Sequence, residues 1–237
     1  MALLRTDASR ASFAVGVSLV VIGIAGFLGV LDAVREMDDL ASLDTPVLEW
    51  LASVRSPGLT AVLTAVTTVS GPVVLPILVA VGGLGWGLWR REWWHVLLLL
   101  GAMVCSSAVA VTVKLVVARP RPPLDSQLVP GLESTYSFPS GHTAGAATLV
   151  LVLAYLLWVR RPTARSLLAW SVVSVVAIGA VALSRLYLGY HFVTDVAASA
   201  ALGVAVLGAV VLVDRAHQAR ALRSTGSRPQ SGSPQPT

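Results

Sequence analysis

Three places in this chain interrupt long apolar runs with ionisable side chains. Lys114 and Arg121 leave one run, Ser140, Gly141 and His142 open the next, and Arg185, His191 and Asp195 join the last two. Guanidinium forks match the oxygens of a tetrahedral oxyanion in pairs, and a lysine ammonium adds a point charge. Ser140 and Gly141 stand where a helix is expected to begin. Free backbone N–H groups and the positive end of the helix dipole would face the same anion there, with no side chain at Gly141 to hold it off. Lys114, Arg121, Ser140, Gly141 and Arg185 are therefore expected to form a phosphate cage.

The reactive groups follow from spacing. His191 and Asp195 are an i, i+4 pair, which shares one face of a helix. A carboxylate on one imidazole nitrogen fixes the tautomer and frees the other nitrogen to attack. His142 comes from a different helix start and is suited to protonate a leaving alkoxide. The expected chemistry is two-step phosphoryl transfer. His191 attacks phosphorus to form a phosphohistidine, and His142 protonates the leaving group and then activates water, while the cage stabilises the developing charge. Three cations supply the electrostatic work that a divalent ion does elsewhere, so neither a metal nor a cofactor is expected.

The surroundings of these residues are membrane-like. Only 12% of the 237 residues are charged and 55% are hydrophobic, with a mean hydropathy of +0.78. A soluble domain carries about 25% charged residues. The net charge of +5 sits in short clusters between apolar runs, which reads as membrane topology and not as a nucleic-acid surface. Apolar segments of spanning length cover 12–31, 93–117, 140–159, 166–183 and 192–213. Segment 58–89 is too long for one straight span and contains Gly71-Pro72. One span over roughly 72–89, preceded by a further helical stretch, is expected there. The fold class is thus all-α, with six transmembrane helices.

Arg5 and Arg10, Arg90 and Arg91, Arg160, Arg161 and Arg165, and Arg215, Arg220, Arg223 and Arg228 fall on one side of such a bundle, whereas 32–55 carries six carboxylates against two arginines. Cytoplasmic loops carry the excess of Lys and Arg. Residues 1–11 are then a cytoplasmic N-terminus and 12–213 the membrane domain. A disordered cytoplasmic tail is expected over 214–237. No cleavage-site pattern follows the first run, so it reads as an uncleaved span. All three chemical clusters then meet at the extracytoplasmic ends of the third to sixth helices. Arg119 reads as a cation snorkelling at the interface, His95 as interfacial and His217 as part of the polar tail. Cys105 lies alone in an apolar run, and the tryptophans near span ends fit an aromatic belt.

In order, Lys114…Arg121-Pro122, Pro139-Ser140-Gly141-His142 and Ser184-Arg185…His191…Asp195 fill the K-x6-R-P, P-S-G-H and S-R-x5-H-x3-D pattern. In this the chain resembles the type-2 phosphatidic acid phosphatase superfamily, whose soluble relatives include the vanadium haloperoxidases. The resemblance implies the same roles: His191 as nucleophile, Asp195 as its partner, His142 as acid and base, and Lys114, Arg121 and Arg185 as phosphate ligands. It covers the third to sixth spans. Val193 stands where many relatives have proline, away from the chemistry.

The function expected is hydrolysis of a lipid phosphate drawn from the bilayer, with polyprenyl pyrophosphate slightly ahead of phosphatidylglycerol phosphate and phosphatidic acid because it suits an outward-facing site. The same phosphohistidine would serve a phosphotransferase. A non-catalytic headgroup binder would be expected to have lost a reactive residue. A transporter would carry its ionisable groups near the bilayer midplane.

Overall fold

The computed structural model describes residues 2–226, with side chains from 11 to 221. Eight helices follow one another: α1 (Ala2–Glu36), α2 (Asp44–Ser53), α3 (Pro57–Val69), α4 (Val74–Arg90), α5 (Trp93–Val117), α6 (Gly141–Trp158), α7 (Ala164–Tyr187) and α8 (Val193–Gly226). Two short 3-10 turns, Asp39–Leu43 and Leu124–Ser126, complete the regular structure, and no strand occurs among the described residues. Five helices are long and apolar enough to cross a membrane, and the bent pair α3 and α4 makes a sixth candidate.

Local chemistry sets the helix ends. Pro57 occupies the first turn of α3, where its missing N–H costs nothing. Thr163 and Ser166 form a reciprocal capping box on α7. Arg91 and Ala118 take left-handed backbone, with φ of 57° and 48°, and end α4 and α5. The helical stretch expected ahead of the second span is α3, separated from α4 by residues 70–73 at a bend of 55°. Pro72 in this break cannot donate to a continuous helix.

The last helix corrects the expected boundary at 213. It continues to Gly226: alanines at 216, 219 and 221 favour helix, and Asp214, His217 and Gln218 have partners. Asp214, which is buried, accepts from Trp94 Nε1 (2.9 Å), Tyr155 Oη (2.8 Å) and Gln218 Nε2 (2.9 Å). His217 stacks on Trp94 with ring centroids 3.8 Å apart, and so is not part of a free tail. The remainder of the expected tail, 227–237, lies outside the described residues.

At the centre, α8 packs against α1, α5 and α6. Small residues let α1 and α8 touch backbone to backbone. A Cβ at Gly208 would fall 2.6 Å from Val20 N, and one at Gly23 would fall 2.4 Å from Ala205 N. The main core joins Val152 and Leu156 of α6 to Leu202, Val206 and Val210 of α8, with Leu98, Leu99 and Ala102 of α5 alongside. This packing brings the C-terminal ends of α5 and α7 and the N-terminal ends of α6 and α8 to one end of the bundle.

Candidate active site

His191 sits in the five-residue link 188–192 between α7 and α8 and is 1% exposed, with Asp195 fully buried one turn further on. Their pairing runs from Nδ1 to Asp195 Oδ2 at 3.2 Å. The carboxylate accepts, so Nδ1 carries the proton and Nε2 keeps its lone pair. That lone pair accepts from Arg121 Nη1 at 3.3 Å. Burial, only partly offset by Asp195, lowers the imidazole to about 4, which leaves it neutral at neutral pH. Asp195 Oδ2 also accepts from Ser137 Oγ and from Phe192 N at 2.9 Å.

The expected cage residues surround this pair. Arg121 is held by Thr135 O (2.6 Å) and Tyr190 O (2.8 Å), and Arg185 by Thr67 Oγ1 (2.6 Å). Between the two arginines stands Glu133, which pairs with Arg121 Nη2 at 2.6 Å and with Arg185 Nη2. Burial alone would raise the Glu133 carboxyl, but Arg185 and Arg121 outweigh it and hold it below the usual carboxylate value. Burial likewise lowers the Arg121 guanidinium from its ordinary value. Arg185 Nε is a buried donor with no partner among the described residues. A buried donor of this kind gains several-fold more from an anion than an exposed one does, because water cannot compensate it.

Lys114 Nζ donates to Tyr136 O (2.6 Å) and Ser137 O (3.3 Å), fastening the loop that leads to α6. Ser140 is wholly buried and caps α6, accepting from Thr143 N at 3.4 Å, while its own N–H donates to Asp195 O at 3.2 Å. Gly141 opens the helix with nothing within 4 Å of where a Cβ would lie. His142 is half-buried beside the break between α3 and α4, where a methyl on Gly71 would stand 3.6 Å from its Nε2. The eight residues singled out by spacing thus gather at one end of the bundle.

Two residues carry more than the sequence reading allows. Arg119 is not a snorkelling cation: its side chain is 10% exposed and paired with Asp195 Oδ1 at 2.8 Å and Asp44 Oδ2 at 2.7 Å. Glu133 carries no motif signal, since only the fold turns its loop back over Arg121 and Arg185. The arrangement can hold a tetrahedral anion against a neutral imidazole whose far side is braced by a carboxylate.

A bundle of apolar helices with this chemistry at one end is a membrane-embedded phosphatase in outline, and the comparisons with known proteins agree. The model of the PAP2 superfamily matches residues 95–218, a segment that takes in every residue of the cage and the histidine pair. The chain belongs to the PAP2 superfamily of membrane lipid phosphatases. It is 32% identical over 180 residues to phosphatidylglycerophosphatase B of Bacillus subtilis, covering 75% of this chain and 86% of that protein. It is 35% identical over 137 residues to decaprenylphosphoryl-5-phosphoribose phosphatase of Mycobacterium tuberculosis, covering 57% of this chain and 68% of that one. In structure it is similar to the transmembrane PAP2-type phosphatidylglycerolphosphate phosphatase from Bacillus subtilis (TM-score 0.69, 28% identity, 85% of this chain and 97% of that one). Aquifex aeolicus LpxE shares the fold (TM-score 0.55, 23% identity, 72% and 95% covered).

Proposed function

We propose that this chain hydrolyses a phosphate ester or pyrophosphate of a membrane lipid through a phosphohistidine on His191, at the extracytoplasmic face and without a metal. The observation that carries the reading is the two-sided setting of His191: Asp195 on Nδ1 at 3.2 Å and a cage arginine on Nε2 at 3.3 Å. The Nε2 lone pair attacks phosphorus, the bond to the leaving oxygen breaks, and His142 donates its proton to that oxygen. The new imidazolium keeps its Nδ1 proton on Asp195. His142, now neutral, takes a proton from water, whose oxygen attacks phosphorus. The P–N bond breaks, its electron pair returns to Nε2, and phosphate leaves. Arg121, Arg185, Lys114 and the free N–H groups at the start of α6, with Ser140 and Gly141, stabilise the equatorial oxygens in both steps.

A lipid substrate is supported by the fold. An apolar cleft of about 470 Å³ lies among α3, α4, α6 and α7, lined by Ala65, Val69, Leu75, Ala146, Ala180 and Val181. Ala146 is one turn from His142 and Val181 one turn from Arg185, so the cleft leads from the cage along the helices. The relatives' names favour lipid phosphate monoesters, phosphatidylglycerophosphate first. The arginines of the α4–α5 and α6–α7 turns lie at the end opposite the site, which supports its extracytoplasmic placement.

Phosphate release would be measured in mild detergent with a chelator present, from phosphatidylglycerophosphate, phosphatidic acid and a polyprenyl pyrophosphate, beside His191→Ala. Chelator-resistant release that falls by several orders of magnitude in the variant is expected. Chelator-sensitive release, or a variant as active as its parent, rejects the mechanism. Transfer of the phosphoryl group to an added alcohol in place of water would favour the phosphotransferase.

A further inference from the structure

Asp195 is served on both oxygens, Oδ2 by His191 and Ser137 and Oδ1 by Arg119. Arg119 extends this contact away from His191. Its Nη1 reaches Asp195 Oδ1 (2.8 Å) and Thr194 Oγ1 (2.6 Å), and its Nη2 reaches Asp44 Oδ2 (2.7 Å). Asp44 in turn holds the first turn of α8. Its Oδ1 accepts from Thr194 N at 3.0 Å and its Oδ2 from Thr194 Oγ1 at 2.7 Å, across 150 residues of sequence. Phe192 lies against the guanidinium with its ring centroid 4.4 Å from Cζ. The side chains of Asp44, Arg119 and Asp195 are 5%, 10% and 0% exposed.

We propose that Arg119 and Asp44 are positioning residues for the histidine pair: a buried relay from Asp44 through Arg119 to Asp195 fixes the carboxylate that orients His191 and tempers its pull on the imidazole proton. The inference rests on His191 being the nucleophile proposed above. Both ends of the guanidinium fork are occupied by carboxylates, so Arg119 binds no phosphate itself, and a lysine could not span the same pair. Asp44 precedes the segment that matches the superfamily model, which starts at residue 95. A part of the chain outside the family's motifs therefore completes the site. The charged and titratable groups around His191 are Asp195 on α8, Arg121 and Glu133 on the loop, Arg185 on α7 and His142 on α6. Arg119 and Asp44 act on it through Asp195.

Removing a cation beside Asp195 strengthens its pull on the His191 proton, and removing an anion weakens it. The full chain in detergent would be compared as parent, Arg119→Gln and Asp44→Asn. Steady-state kinetics would use the lipid phosphate that the parent turns over. Histidine-selective NMR would follow the titration of His191. Expected are a kcat lower by roughly tenfold to a hundredfold in both variants with KM little changed. The His191 midpoint should move up in Arg119→Gln and down in Asp44→Asn. A folded variant with parental kcat, or midpoints that do not move in these opposite senses, overturns the relay. Asp44→Asn keeps shape and decides alone if Arg119→Gln does not fold. Should the parent release no phosphate from any lipid, the functional reading falls while the two midpoints still decide the relay.

Discussion

Glu133 defines what the cage must give up to work. Its carboxylate bridges Arg121 and Arg185, the two groups expected to hold phosphate, and those arginines keep it ionised into the acid range. A phosphate oxyanion and this carboxylate compete for the same N–H donors, and two anions there would repel each other. In the proposed cage, phosphate binding would therefore displace Glu133, and protonation does not remove it near neutral pH. Glu133→Gln removes the competitor and leaves both arginines with their Thr135, Tyr190 and Thr67 partners. Inhibition by inorganic phosphate should tighten by about tenfold, or roughly 1.4 kcal/mol. Inhibition constants measured against parent and variant test this, and weaker inhibition in the variant would mean that Glu133 positions the arginines for phosphate.

Among the elements, the broken pair α3 and α4 has the most specific consequence. Its break at residues 70–73 sets Gly71 against His142, and the C-terminal half of α3 forms one wall of the apolar cleft. Small residues on the facing walls, Ala65, Ala146 and Ala180, keep that cleft open. Ala180→Trp should fill it without touching the cage. The rate on a long-chain lipid phosphate should then drop by roughly tenfold or more while a short-chain, water-soluble phosphate ester is hydrolysed at the parental rate, since only the former needs the cleft. Equal losses on both substrates would place the lipid chain elsewhere. By contrast, the close contact of α1 and α8 at Gly23 and Gly208 lies in the middle of α8, away from the site, and is structural.

For the whole molecule, the question is which end faces outward. One end carries the cage and the acidic 32–55 segment, and the other carries Arg90, Arg91, Arg160, Arg161 and Arg165. The excess of arginine predicts a cytoplasmic location for the second end. In a Cys105→Ala background, Ser134→Cys on the cage loop should react with a membrane-impermeant thiol reagent on intact cells. Arg165→Cys, in the first turn of α7, should react only after permeabilisation. The reverse pattern would put the site in the cytoplasm.

The residues proposed for the anion cage and the histidine pair stand out in 114–195 because their chemistry depends on residue type and local spacing: an i, i+4 pair shares a helix face wherever the helix lies. The same holds for the apolar runs, whose length alone requires a membrane. The break in the second span was visible as Gly71-Pro72, although its 55° bend was not. The end of α8 is not visible in the sequence because Asp214 and His217 look like tail residues until Trp94 and Tyr155 are packed beside them. Arg119 is hidden in the sequence for a related reason. A lone arginine at a span end has the pattern of a snorkelling cation, and its carboxylate partners lie 75 residues before it and 76 after. Only the tertiary structure could supply these partners, and Glu133 over the arginines, because a contact between distant segments leaves no periodicity in either of them.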